Sequence, residues 1–356
     1  MNPVADDQAG RYVLRPSELQ DLDALEAFAE ASAHGVTTLP HDRDALTLRL
    51  ERSLEAFSSE DTSGEETYLF VLEDNARGQV VGVSGIAARA GFSERFYTYR
   101  SEFLVHRSAG LNARNRIHTL HPCHDLTGVT LLTSYYLLPA YHDTVAAELL
   151  SRARLLFILH NARDFSDRIA AESPGLADAE GYCPFWDAVG RRFFGMDYPA
   201  AERIAEGRSK SFIAELMPAS PLYVPLLPEE AQWAIGQLHP DAQLPFSILL
   251  DEGMEADTYV DIFDAGPIAQ ARLGSLRSVA GHRAGRLRGA LADGADLATP
   301  LLVSNDLRAG FRATVARGAM DGESMRLDGR SIAALEIDPG AIIHAAPFSR
   351  VQRDRT

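Results

Sequence analysis

The run Cys123-His-Asp-Leu-Thr-Gly128 gathers a thiol, an imidazole, a carboxylate and a hydroxyl ahead of an apolar stretch, Leu131–Leu138. It reads as a polar turn feeding a strand. A short loop, Tyr141 to Thr144, and a helix patterned over Val145 to His160 come next. One chemistry that such an order could serve is acyl transfer from a phosphate-bearing thioester to an amine. A splayed strand can aim backbone N–H groups at a tetrahedral oxyanion. A helix N-terminus can receive phosphate on its unpaired amides. The attacking amine must be neutral, and the leaving thiolate needs a proton donor. His239, in Gly236-Gln-Leu-His-Pro240, suits that proton, because an ordinary imidazole titrates near ~6.5. It also stands at a predicted helix end, where a histidine can simply cap carbonyls. Cys123 is readable as a nucleophile or as a small buried thiol, and the second reading is preferred. Asp125 and Thr127 fit either a pocket rim or a plain turn.

Composition narrows the field. The formal net charge of −16 argues against a general nucleic-acid binder, whose affinity rests on cations neutralising phosphates. It is compatible with a cationic small substrate. Lys210 is the only lysine, so arginine carries the positive charge. No stretch approaches the ~20 apolar residues of a membrane span, and no secretory leader is evident. The two cysteines, Cys123 and Cys183, have no CxxC spacing, so neither a disulfide framework nor a metal site is expected. The cytoplasm is the default compartment.

The elements that must position these residues alternate. A strand at Arg11–Leu14 precedes a capping-box spacing at Ser17-Glu-Leu-Gln20 and helices near Leu22–Phe28 and Asp42–Phe57. Strands at 68–72 and 79–88 read as a hairpin. Gly91–Leu120 is aromatic without a clean period and is expected to be an irregular strand with loops walling a pocket; His106, Asn112 and Asn115 lie there as pocket candidates. Then come the strand 131–138, the helix 145–160, a strand at 169–172, a helix face Phe185/Trp186/Val189/Phe193, a strand at 211–216, helices at 228–238 and 244–252, and a strand at 259–263. The expected fold is α/β (α+β): a mixed sheet with flanking helices. Residues 1–10 are expected to be a disordered lead-in and 11–268 one domain. Residues 269–356 are expected to be a small, mostly-β subdomain with β-like runs at 301–303, 311–315 and 332–337.

The strand–loop–helix order is that of acyl-CoA N-acyltransferases (the GNAT-like class), and longer runs point more narrowly. These are Val36-Thr-Thr-Leu-Pro40, Tyr68-Leu-Phe-Val-Leu-Glu-Asp74, Pro184-Phe-Trp186 with Gly190-Arg-Arg-Phe-Phe194, and Phe212-Ile-Ala-Glu-Leu-Met-Pro218. Tyr223-Val-Pro-Leu-Leu227, Gly236-Gln-Leu-His-Pro240 and Tyr259-Val-Asp-Ile-Phe-Asp-Ala-Gly-Pro267 extend them. With these, residues 11 to 280 resemble the arginine N-succinyltransferases. The turn Cys123–Gly128 resembles the alpha branch of enzymes built from alpha and beta subunits. Single-chain members have glutamate where this chain has Leu131, and a glycine in the loop that here reads Tyr141-His-Asp-Thr-Val-Ala-Ala147. Glycine-free and acidic, that loop makes a poor phosphate cradle, and Asp143 is expected to cap the helix.

The resemblance implies succinyl-CoA as co-substrate with no permanently bound cofactor, L-arginine or L-ornithine as acceptor, and a homologous beta subunit as partner. It assigns His239 as proton donor and Tyr135 as a succinyl-CoA contact, Tyr135 being otherwise a core aromatic. Glu172 would neutralise the arginine substrate or bond nearby backbone. Arg100 would receive the succinyl carboxylate bidentately or sit in a surface ion pair. A non-catalytic subunit that keeps the fold but has lost CoA binding is the alternative.

Overall fold

The computed structural model describes residues 8–349 apart from 33–37, 61, 93–94, 109, 111–112, 206–215, 218 and 292–298. Its strands are β1 (Tyr12–Pro16), β2 (Thr67–Asp74), β3 (Gln79–Ala87), β4 (Thr98–Ser108), β5 (Ala113–Cys123), β6 (Thr130–Leu137), β7 (Arg168–Glu172), β8 (Leu222–Tyr223), β9 (Glu255–Val260), β10 (Pro267–Arg272), β11 (Arg283–Ala290), β12 (Thr299–Asn305), β13 (Ala313–Asp321), β14 (Ser324–Leu327) and β15 (Ile342–Pro347). The helices that matter below are α1 (Leu22–Ala31), α2 (Arg43–Ser58), α3 (Ala146–His160), α4 (Pro184–Ala188), α5 (Gly190–Phe194), α6 (Tyr198–Ala205), α7 (Glu229–Ala234), α8 (Gln243–Asp251), α9 (Arg277–Ala280) and α10 (Gly329–Leu335).

One continuous sheet runs β8-β5-β4-β9-β10-β7-β6-β3-β2-β1-β13-β14-β11-β15-β12, and β12 pairs back onto β13, closing β11–β15 into a five-stranded barrel. The architecture is mixed α/β. β2 shows why the centre holds. Its side chains alternate, as a pleated strand requires. Leu69 and Val71 pack with Leu25, Phe28, Leu46 and Leu50 of α1 and α2. Tyr68, Phe70 and Leu72 pack on the other face against Leu150 and Phe157 of α3. α3 is buried on every side from Ala146 to Ile158, as expected of a helix that is largely apolar all round. Phe157 meets Phe57, Tyr68, Phe70, Phe165 and Phe311 edge-on, so truncating it to alanine removes a centre worth about 3–5 kcal/mol.

Several expectations change. Gly91–Leu120 is not irregular through its length: β4 and β5 form a regular antiparallel hairpin from Thr98↔Cys123 to Ser108↔Ala113. Its aromatic pattern is obscured because Phe103 is exposed, stacked on His118 and covered by Arg116. Ile332–Ile337 lies mainly in α10, because Asp328 caps a helix there by accepting from Ser331 N at 2.8 Å. The face Phe185/Trp186/Phe193 splits over α4 and α5; Phe185 and Trp186 are core, but Phe193 is exposed. The helix expected over 228–238 stops at Ala234, ahead of Gly236 at φ +74°. The capping box shifts by one residue, to Glu18 and Asp21.

Of the lead-in, residues 1–7 lie outside the described residues, whereas Ala9 is buried and Gly10 N donates to Val315 O at 2.9 Å. Gly10 has φ +67°, and a Cβ there would sit 2.6 Å from Arg330 C, so the chain is tied down at this point. The strand expected at 211–216 and Asn112 fall at least partly outside the described residues, as do Val36 and Thr37. The boundary expected at 268/269 falls inside β10, which pairs with both β7 and β9.

Candidate active site

β6 and β7 are parallel neighbours only at Thr130↔Ile169 and Leu131↔Ala170. Beyond Leu131 the two strands have no common ladder. On its other side β6 pairs with β3 at Val83↔Tyr136 and next at Gly85↔Thr133, a register shift that makes a bulge at Ser134-Tyr135. Ser134 sits at φ +55°, left-handed backbone that a residue with a side chain seldom takes. Gly85 pairs with the adjacent Thr133, and a Cβ there would meet Thr133 Oγ1 at 2.7 Å.

Side chains from distant elements hold this bulge. Ser134 Oγ lies 2.7 Å from Thr38 Oγ1 and accepts from Arg49 Nη2 at 2.6 Å. Arg154 of α3 donates to Gly85 O at 3.1 Å and Thr133 O at 3.2 Å, one on each strand, and to Ser151 O at 3.1 Å. Burial lowers the pKa of both guanidinium groups to about 10. Tyr135 Oη donates to Ala147 O at 3.2 Å, joining the bulge to the first turn of α3.

The cleft between the diverging strands is a cavity of about 680 Å³. Its walls carry two signs of charge. Arg49, Arg52, Arg95 and Arg154 line it, and so do Glu172, Glu202, Asp241, Asp261 and Asp264. Asp261 and Asp264 are also structural acceptors, from Phe263 N at 2.6 Å and Gly175 N at 2.8 Å. A dianionic or phosphate-bearing group and a cationic group can therefore each find counter-charge in one space.

The predicted residues divide accordingly. Tyr135, Glu172 and Leu131 line the cavity. His239 is beside it: its N–H donates to the lining residue Pro174 at 2.9 Å, and its neighbours Asp241 and Ala242 line the wall. Its ring is mostly covered, and Nδ1 accepts from Asp241 N at 3.2 Å while lying 3.8 Å from Asp241 Oδ2. In the neutral ring that contact puts the proton on Nε2.

Asp125 and Arg100 are not among the lining residues. Arg100 donates to Asp125 at 2.7 Å and Glu102 at 2.5 Å, and Asp125 also accepts from Tyr259 at 3.3 Å. Thr127 Oγ1 accepts from Phe96 N at 3.0 Å, fastening the turn behind a lining residue. His106 and Asn115 pair across the β4/β5 hairpin and are exposed. Cys123 is buried against Thr98, and burial pushes its thiol up. At the start of α3, Thr144 Oγ1 accepts from Ala146 N at 3.2 Å, a bond expected of Asp143, and Gln8 Oε1 accepts from Val145 N at 3.1 Å.

Comparison with known proteins meets this geometry. A family profile described as the arginine N-succinyltransferase beta subunit matches residues 12–278. The chain belongs to the arginine N-succinyltransferase family. Within it, the alpha subunit of arginine N-succinyltransferase from Pseudomonas aeruginosa is 46% identical over 304 residues, 85% of this chain and 89% of that one. The beta subunit from the same organism is 38% identical, covering 96% and 99% of the two chains. The arginine N-succinyltransferase of Yersinia enterocolitica is 37% identical over 93% and 96%. A solved structure of arginine/ornithine succinyltransferase subunit AI from Pseudomonas aeruginosa superposes with a TM-score of 0.85 at 41% identity, covering 95% of this chain and 98% of that one.

Arg49, Ser134, Arg154 and Glu202 were not singled out from the sequence. Arg154 had a signal, a charge inside an apolar helix. Ser134 had none, because its backbone is set by Gly85 and Arg49 from elsewhere.

Proposed function

We propose that this chain, an acyltransferase of the arginine N-succinyltransferase family, transfers succinyl from succinyl-CoA to the α-amino group of L-arginine, with L-ornithine as a second acceptor. It does so as the alpha-type subunit of an enzyme completed by a homologous beta-type subunit, on a sheet of the acyl-CoA N-acyltransferase kind. The observation that carries the reading is the splay of β6 from β7 at Leu131, with a bulge at Ser134 opening into a cavity of mixed charge.

In this reading the thioester carbonyl lies along the bulged stretch of β6, whose amides past Leu131 have no β7 partner and can meet the developing oxyanion. Arg49 and Arg52 take the succinyl carboxylate, and Glu172 with Glu202 take the acceptor's cationic side chain. Arg100 is left in its ion pairs with Asp125 and Glu102. His239 passes to the leaving thiolate, from Nε2, a proton made good by the one the acceptor amine gives up as the amide forms, so the step is proton-neutral. Closing the 3.8 Å gap to Asp241 Oδ2 would let that carboxylate hold an Nδ1 proton and stabilise the imidazolium.

The test is succinyl-CoA-dependent thiol release with L-arginine, by the chain alone and co-expressed with its beta-type companion. Release that requires both succinyl-CoA and arginine is the expected result. His239→Ala is expected to lower kcat by about 10²–10⁴ with an unchanged circular dichroism spectrum; full activity in that variant would remove His239 from the mechanism. One observation favours the non-catalytic reading: the first amides of α3 are already taken by Gln8 and Thr144. That reading predicts no saturable CoA binding by the isolated chain, and an assembled enzyme indifferent to Arg49→Ala.

A further inference from the structure

Away from the cavity, the end of α3 meets the barrel at a cluster of three imidazoles and a carboxylate. Asp306 follows β12, His344 lies in β15, His160 ends α3 and His282 precedes β11. Asp306 Oδ1 is 3.0 Å from His160 Nδ1 and 2.7 Å from His344 Nε2. The three ligand-type atoms of His160, Asp306 and His344 lie within 4.8 Å of one another. His282 Nε2 is 2.8 Å from His344 Nδ1, with the two rings stacked at 19°.

We propose that His160 Nδ1, His344 Nε2 and Asp306 Oδ1 form a divalent transition-metal site, with His282 orienting His344 from behind. Two imidazoles and one carboxylate are a donor set suited to Zn²⁺, Co²⁺ or Ni²⁺, with positions left for water. Ligands at about 2.0–2.1 Å from one ion stand a little over 3 Å apart, so the ligand atoms, now within 4.8 Å of one another, would shift by up to about 1.5 Å to admit it. His282 Nε2 takes, behind His344, the place that a carboxylate, carbonyl or water takes at most metal-bound histidines, fixing which nitrogen of His344 faces the ion. His160 is the last residue of α3, where the negative end of the helix dipole favours a cation. The site is reachable: the side chains of Asp306, His160 and His344 are 34%, 24% and 12% exposed. Because its ligands come from α3 and from two barrel strands or their ends, an ion here would cross-link the central helix to the barrel. Its role is structural and independent of acyl transfer.

The test uses the untagged full chain, stripped with chelator and titrated with ZnCl₂ by calorimetry, and with CoCl₂ by visible absorption. About one equivalent bound with Kd below about 10 μM, d–d bands from Co²⁺, and a rise in melting temperature with Zn²⁺ are expected. His160→Ala, His344→Ala and Asp306→Asn each abolish all three signals, while the exposed His106→Ala keeps them. Circular dichroism of the metal-free variants separates lost binding from lost fold, and His282→Ala, outside the ligand set, weakens affinity by about 10–100-fold. No binding by the wild type, or binding that survives both His160→Ala and His344→Ala in folded protein, would overturn the site.

Discussion

Arg154 offers a sharp test of how the bulge is held. It is buried in α3 and bonds the carbonyls of Gly85 and Thr133, on the two strands flanking the bulge. Burial lowers its pKa well below the usual guanidinium value, to about 10. At about 1.4 kcal/mol per unit, keeping it charged is disfavoured by about 3 kcal/mol. Arg154→Met lifts that penalty but leaves two strand carbonyls without their donor, at about 1–3 kcal/mol each. The terms are of similar size and opposite sign, so the unfolding free energy should move by less than about 3 kcal/mol in a urea titration followed by circular dichroism. Activity should not be spared. A bulge free to relax misplaces its amides, and a lost oxyanion donor lowers kcat by about 10²–10³, read by thiol release in the co-expressed pair. Arg154→Lys, which restores a charge and part of the hydrogen bonding, should fall between. A folded Arg154→Met enzyme with wild-type kcat would refute the link between this arginine and the geometry of Ser134.

Three further outcomes are expected. Cys123 and Cys183 are both buried with thiols pushed up by burial, so a thiol reagent should label neither until the chain is unfolded, and Cys123→Ala should keep its kcat. Arg100→Ala should leave KM for succinyl-CoA unchanged and lower stability by no more than about 1 kcal/mol, as for an exposed pair; a large KM effect would return Arg100 to the site. Burial alone would raise the Asp74 carboxyl, but the bonds from Arg11 at 2.8 and 3.1 Å outweigh it and hold it below the usual range. The folded pKa is thus below the unfolded one, so this contribution is complete above about pH 3.9 and fades as pH falls towards the folded value. The stability gap between wild type and Asp74→Asn should therefore close in acid; a gap constant from pH 7 downward would show that the pair is not responsible.

What could be read from the residues was whatever local pattern dictates. The alternation of β2 and the apolar surface of α3 survive folding because each element is buried as its period implies. The β4/β5 hairpin escaped because an exposed Phe103, its ring in contact with His118 and Arg116 of the partner strand, breaks the alternation. The run Ile332–Ile337 looked like a strand because it is short and apolar; the deciding cue was the cap at Asp328 just ahead of it. In the cavity, Tyr135 and Glu172 were legible as residues in or ending a strand. Arg49 was not, since it reaches Ser134 across 85 residues of sequence. The cluster at Asp306 is likewise built from residues that no spacing rule brings together.

The loop before α3 shows how one sequence departure becomes a physical constraint. Where a glycine-bearing loop would let backbone amides close on a diphosphate, the stretch from Pro139 forms a short 3-10 turn ending at Tyr141, and Thr144 folds its hydroxyl back onto Tyr141 O and Ala146 N. Gln8 takes Val145 N. The first turn of the helix carries the fully buried acid Glu148 and no basic side chain. Anion recognition must therefore displace Gln8 and Thr144 or draw on the arginines across the cavity. Arg49 and Arg52 come from α2, Arg95 from the segment after β3, and Arg154 is committed to the bulge. A donor held mainly from the α2 side would present its acyl end to Ser134 without relying on the helix start. On the function proposed above, that arrangement would keep the splayed strands for acyl transfer even with a weakened phosphate cradle.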